Sequence, residues 1–281
     1  MPKVFWWLVA IGVVAVIGRA VYVAVAPAPD LHLPPVAERP AEPSPETKSP
    51  ETETPSQAAA ENEVHYPIEP PAQEKPLPAL DKSDATLRAA LNDLVRDTSL
   101  VNLFQPNEFV RRVAATVDNI PRQKIAQRII ATKPAPGTFA VTGKGDNLEI
   151  APHNAARYAP FIRLMNAVDT EKSVGVYIHF YPLFQRAYEE LGYPKSYFND
   201  RLIAAIDHLL ATPDVKGPIK LVRPKVFYLY ADPNLEALSA GQKTLIRTGN
   251  ENAVKIKAKL RDLRAELVKQ GKPQAQPANK K

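Results

Sequence analysis

The chain has 281 residues, 45% of them hydrophobic, which is enough for a sizeable core and excludes a chain that is disordered throughout. It contains no cysteine, which removes disulfide scaffolds, thiol nucleophiles and cysteine metal sites together. The formal net charge of +6 conceals two opposed parts: residues 27–80 carry 10 acidic and 3 basic side chains, residues 81–281 carry 31 Lys and Arg against 20 Asp and Glu.

The first element in chain order is an apolar run, Val4 to Ala26, 23 residues with a single charge, Arg19. At ~1.5 Å per residue, a helix of that length crosses a ~30 Å hydrocarbon core. Trp6 and Trp7 stand near one end and Tyr22 near the other, where interfacial aromatics belong. Arg19 lies about one turn inside Tyr22, within reach of the headgroups. A cleaved signal peptide is the rival reading, because Ala24-Val25-Ala26 has the small residues of a cleavage site. Pro27 directly after it, and Arg19 inside the apolar core, argue for an uncleaved anchor over residues 1–26. Lys3 precedes the span and Arg39 is the only cation in the first twenty residues beyond it. The expected orientation therefore puts the N-terminus in the cytoplasm and the remainder outside.

Residues 27–80 hold 14 of the 29 prolines and few large apolar residues, so they read as a disordered tether with polyproline II character. As a flexible coil such a stretch spans on the order of 40 Å. Val64-His65-Tyr66-Pro67-Ile68 stands out within it as a candidate docking motif, against the plainer reading of a solvated linker.

From residue 81 to about residue 270 the composition is that of one globular domain, and helical periodicity dominates. Leu87, Leu91, Leu94 and Val95 mark a helix after an N-cap at Ser83. Pro106 at a first turn leads a second helix with Phe109, Val110, Val113 and Val117. Ile120-Pro121 breaks it, and Ile125, Ile129 and Ile130 are expected to resume it. Phe139–Val141 and Leu148–Ile150, around Gly143-Lys144-Gly145-Asp146-Asn147, predict a hairpin. Tyr158, Phe161, Ile162, Met165 and Val168 mark another helix. The helix after Thr170 carries Val174, Tyr177, Phe180, Phe184 and Leu191, with Pro182 expected to kink or divide it. Asn199 is the expected cap of a helix bearing Leu202, Ile203, Ile206, Leu209 and Leu210. Residues 218–222 and 226–230 predict two short extended segments. Ser239 with Gln242 has capping-box spacing. Asn250 starts a last helix with the seam Ile256, Leu260, Leu263 and Leu267, and a basic tail follows over 271–281. The fold class is mainly α, with one or two small β-hairpins.

Chemistry-bearing motifs are few. Gly143-Lys144-Gly145 lacks the spacing of a phosphate loop and reads as a turn. No serine or histidine stands in a nucleophile motif, and no cofactor or metal is implied. Seven aromatics between Phe180 and Phe198 are mixed with charges, a pattern that suits a groove, although core packing with hydroxyls at the boundary is the favoured reading. Tyr193 and Tyr197, beside Gly192 and Pro194, are the candidate groove residues. On the last helix Lys257, Arg261 and Arg264 form a stripe with no acid at pairing distance along the helix, a candidate surface for an anionic partner.

Several runs occur together: Leu77-Pro78-Ala79-Leu80-Asp81-Lys82-Ser83-Asp84, Arg111 to Pro121, Tyr181 to Pro194, Tyr197 to Ala211, Arg223-Pro224-Lys225-Val226 and Leu238 to Lys243. In that combination the chain resembles a bacterial family of single-span envelope proteins defined only as a domain of unknown function (number 3014). The resemblance spans roughly residues 75–268. It implies a bacterial source and a Gram-negative cell-envelope setting and carries over no site residues; together with the expected anchor topology, the reading is an inner-membrane protein with its domain in the periplasm. The expected function is a non-catalytic binding or assembly module, bound to the bilayer through residues 4–26 and facing an envelope protein or anionic polymer rather than nucleic acid. The alternative is a hydrolase or lyase on cell-wall material, using carboxylates among Glu189, Glu190, Asp200, Asp207 and Asp232.

Overall fold

The computed structural model describes residues 64–70, 76–95 and 97–271. The expected membrane span, most of the tether and the tail beyond Gly271 lie outside these residues. Among the described residues, no helix is long and apolar enough to cross a membrane.

The helices are α1 (Asp84–Leu94), α2 (Phe109–Asn119), α3 (Ala159–Ala167), α4 (Thr170–Glu190), α5 (Phe198–Leu210), α6 (Pro233–Glu236), α7 (Ala240–Arg247) and α8 (Asn250–Gln270). The bundle is built around α4. Val174, Val176, Tyr177, Ile178, Phe180, Leu183 and Phe184 are buried over most of its circumference, leaving one face with Pro182 and Arg186 in solvent. It packs on α1, α2, α5 and α8. Pro182 does not divide it, because the residue sits on the exposed face. The carbonyl that a proline cannot serve there opens toward solvent instead of into the core. Helix α8 closes the bundle with the predicted seam, Ile256, Leu260, Leu263 and Leu267, all buried.

The two predicted extended regions pair into one antiparallel sheet of β1 (Val141–Thr142), β2 (Leu148–Ile150), β3 (Lys220–Val222) and β4 (Leu229–Tyr230), in that spatial order. Leu148, Leu221 and Tyr230 lie in register across three strands, and Leu221 and Tyr230 are buried with Ile246 of α7. Gly143 begins the β1–β2 turn at φ 91°, where an added Cβ would meet the Asn147 carbonyl oxygen at 1.8 Å. Only glycine fits that turn.

Three local expectations are corrected. Residues 125–130 do not resume a helix; they run extended with a single 3-10 turn, Gln127–Ile129. Thr116 Oγ1 donates to the Ile129 carbonyl at 3.1 Å and accepts from the Ala131 N–H at 3.2 Å, so side chain to backbone bonds hold this segment to α2. Pro106 precedes α2 instead of opening it, since the helix begins at Phe109 after Glu108 in the left-handed region. The Asp84 carboxylate from α1 accepts the Glu108 and Phe109 N–H groups at 2.7 and 2.9 Å and so caps α2 across the fold. Asn199 is inside α5 rather than at its cap; the Gln185 side-chain oxygen accepts the Phe198 N–H at 2.9 Å. The Ser239–Gln242 capping box at the start of α7 forms with both arms present.

Candidate peptide-binding groove

The N-terminal turn of α5 faces a segment that sequence composition assigns to the tether. Residues 64–70 lie across it as a strap that bends at His65 and Tyr66 and forms neither helix nor strand. The Asp200 carboxylate accepts two successive N–H groups, from His65 at 3.0 Å and from Tyr66 at 2.9 Å, one on each oxygen. Asn199 Nδ2 donates to the Tyr66 carbonyl at 2.9 Å. The Tyr197 hydroxyl accepts the Ile68 N–H at 2.6 Å and donates to the Ile68 carbonyl at 3.1 Å. Pro67 has no N–H, so every main-chain donor between His65 and Ile68 is taken up. Ile68 is 5% exposed and joins the main core, with Tyr66 packed at its edge. The strap is therefore no solvated linker: it is part of the folded domain.

The groove residues are held from behind. The Tyr177 hydroxyl donates to Asn199 Oδ1 at 3.1 Å, which turns the Asn199 amide nitrogen toward the strap. Burial raises the Tyr177 pKa well above its ordinary value, so this donor stays protonated. Tyr181 packs against the Tyr197 ring at 5.3 Å and donates to Gln185 at 2.9 Å. Gln185 donates in turn to the Ser196 carbonyl at 2.9 Å, fixing the loop that carries Tyr197. At the far edge, Arg264 of α8 forks onto Asp207, with the second contact at 3.0 Å. Its pKa is raised, chiefly by that hydrogen bond, with Tyr66 of the strap contributing.

The remaining sequence candidates fall elsewhere. Tyr193 stacks on Tyr188 with ring centroids 4.7 Å apart, and its hydroxyl accepts from Arg122 at 3.1 Å. It belongs to the joint between α2 and α5, where the buried Asp118 carboxylate pairs with Arg122 at 2.7 Å and Arg201 at 3.1 Å. The expected stripe of unpaired cations is corrected. Lys257 is 5% exposed and holds Asp214 at 2.6 Å, while Arg264 is engaged by Asp207; of the three only Arg261 is an exposed side chain. The partners come from the α5 end of the fold, so spacing along α8 could not show them.

The five carboxylates do not converge either. Glu189 accepts from Gln185, Glu190 pairs with Arg111 at 3.0 Å, Asp207 holds Arg264, Asp232 caps α6 through the Asn234 N–H, and Asp200 holds the strap. One contact that sequence reasoning missed is between His208 Nε2 and Ser239 Oγ, 2.8 Å apart. Ser239 Oγ already accepts the Gln242 N–H, and the Ala240 and Gly241 N–H groups bond the Arg122 and Ile120 carbonyls. No main-chain donor is left at the start of α7 to stabilise an oxyanion, so the pair ties α5 to α7. Among the described residues no group of three or more His, Asp or Glu is arranged to hold a metal ion.

The fold and the strap contacts define a mainly helical domain that grips a segment of its own chain by the main chain. Residues 109–264 match the family model described as "Protein of unknown function (DUF3014)", and the chain belongs to that family. No curated protein matches the chain, and no solved structure does. The matched region contains Tyr197, Asn199, Asp200 and Arg264 but not the strap.

Proposed function

We propose that this domain is a non-catalytic binding module whose groove holds peptide segments, occupied in the intact chain by residues 64–70. The observation that carries this reading is the Asp200 carboxylate accepting two consecutive main-chain N–H groups, beside Asn199 and Tyr197 serving the next main-chain groups. Main-chain hydrogen bonds supply affinity with little side-chain demand, and one pocketed residue, here Ile68, adds selectivity. A partner segment with an aromatic-Pro-aliphatic core would exchange with the strap. In the full reading, residues 4–26 anchor the chain in a bacterial inner membrane and the acidic tether presents the domain to periplasmic assemblies. The dispersal of the five carboxylates among structural partners favours binding over the hydrolase or lyase alternative.

The test uses the full chain with Tyr66→Ala and Ile68→Ala, which removes the packed side chains of the strap and loosens its hold on the groove. A fluorescent peptide with the sequence of residues 64–70 should bind this variant saturably in an anisotropy titration and bind the unaltered chain far more weakly. Adding Asp200→Asn or Tyr197→Phe should weaken the binding further. Absence of saturable binding to the variant chain would defeat the proposal and leave the strap as a fixed part of the fold.

A further inference from the structure

The β3–β4 hairpin carries a surface that the groove does not use. Alternation along β3 turns Leu221 inward and leaves Lys220 and Val222 outside. The connection that follows, residues 223–226, is exposed at every position. Val222 is 42% and Val226 54% exposed, two of the large apolar side chains the domain leaves in solvent. Between them stand Arg223 and Lys225. From Val215 to Ala231 the chain has four cations, Lys216, Lys220, Arg223 and Lys225, and no acid. Glu149 of β2 lies opposite Lys220 in the sheet register, and Asp214 and Asp232 flank the segment. None of Lys220, Arg223 and Lys225 is within ion-pair distance of an acid among the described residues. The tip is braced rather than loose: the Arg223 guanidinium lies 5.2 Å from the Tyr228 ring centroid, and Tyr228 packs on Phe139 at 6.1 Å. Phe227, Tyr228 and Leu229 are half-buried beside it.

We infer that this tip contacts an anionic lipid surface, with Lys220, Arg223 and Lys225 on the phosphates and Val222 and Val226 in the headgroup–acyl boundary. A nucleic acid would engage the cations and leave both valines in water. A bilayer interface takes cations and aliphatic side chains together, within the shallow depth that a turn can reach. The surface shares no residue with the groove, so the two proposals stand or fall separately.

The chain has no native cysteine, so Val226→Cys creates a single attachment point for a bimane label in the full-length protein. Val254→Cys, on α8 and 52% exposed, supplies the control position. Each labelled chain is mixed with vesicles containing brominated lipid, of phosphatidylcholine alone or with phosphatidylglycerol. Quenching at position 226 requires the tip itself to reach the lipid, however the chain is attached. The expected result is quenching at 226 and not at 254, only with the anionic lipid. Adding Lys220→Gln, Arg223→Gln and Lys225→Gln should shift the balance away from contact on the order of 100-fold, at several-fold per cation. Equal quenching at 226 and 254, equal quenching with both lipids, or no loss in the triple variant would each overturn the inference. So would a label at 226 that ignores the vesicles and responds to polyglutamate or RNA.

Discussion

Two segments are laid against α5 in this domain, and they are held in opposite ways. Helix α8 is held by side chains, a seam of four buried aliphatics spread over three turns. The strap is held mostly by its main chain, through three polar side chains at one helix end, with Ile68 as its single fully buried side chain. The first arrangement is part of the cooperative core. The second can open by itself, because the groups it releases can all be hydrated. The proposed exchange requires such a pairing, a stable body with a segment whose occupancy is an equilibrium.

The largest effect should come from the seam. Leu263→Ala should lower unfolding stability by about 2–5 kcal/mol, measured by denaturant titration, because a fully buried side chain leaves a cavity. Ile68→Ala removes a side chain of the same size from a position that is also buried, yet its global cost should stay below about 2 kcal/mol. Once the strap releases, nothing further is lost. If Ile68→Ala costs as much as Leu263→Ala, the strap is core and the contrast is wrong.

Asp200→Asn sharpens the comparison at one group. It keeps one acceptor and loses the charge and the second acceptor, for a local loss of about 1 kcal/mol. Hydrogen exchange of the His65 and Tyr66 amides should accelerate by several-fold while amides of α4 keep their protection. Equal acceleration in α4 would show that the strap and the core open together.

The smallest effects are in pH. Burial lowers the pKa of His208, with Arg201 adding to it, and burial lowers that of His179. The folded state thus disfavours their protonation. Stability should be level above pH ~6.5 and decline as pH falls below it, where the unfolded chain takes up the protons. His208→Gln should flatten part of that decline; an unchanged slope would remove His208 from the account. At the alkaline end, burial pushes Tyr188 and Tyr230 up to about 12, so stability should fall as pH rises past ~10, where unfolded tyrosines ionise.

The legible parts of the molecule are those whose cause is local. The α8 seam repeats at helical spacing, the Ser239–Gln242 box spans three residues, and the Gly143 turn needs one residue type; each could be read before the fold was known. Tyr197 stands out in the sequence by its place among the aromatics, whereas its neighbours Asn199 and Asp200 read as a helix cap and a catalytic candidate; the contacts of all three with the strap come from packing. Lys257 and Arg264 seemed unpaired because their partners lie 43 and 57 residues away.

By itself the sequence determined the helix faces and the hairpin turns, because periodicity and turn chemistry act over a few residues. Tertiary structure alone decided that Tyr66-Pro67-Ile68 belongs to the domain, that the two hairpins form one sheet and that the α8 cations are largely engaged. The strap is bound through backbone N–H and C=O groups that almost every residue carries, so no side-chain pattern in the segment announces it. What selects that segment is the placement of Tyr197, Asn199 and Asp200 at one helix end, and only the packed bundle creates that placement.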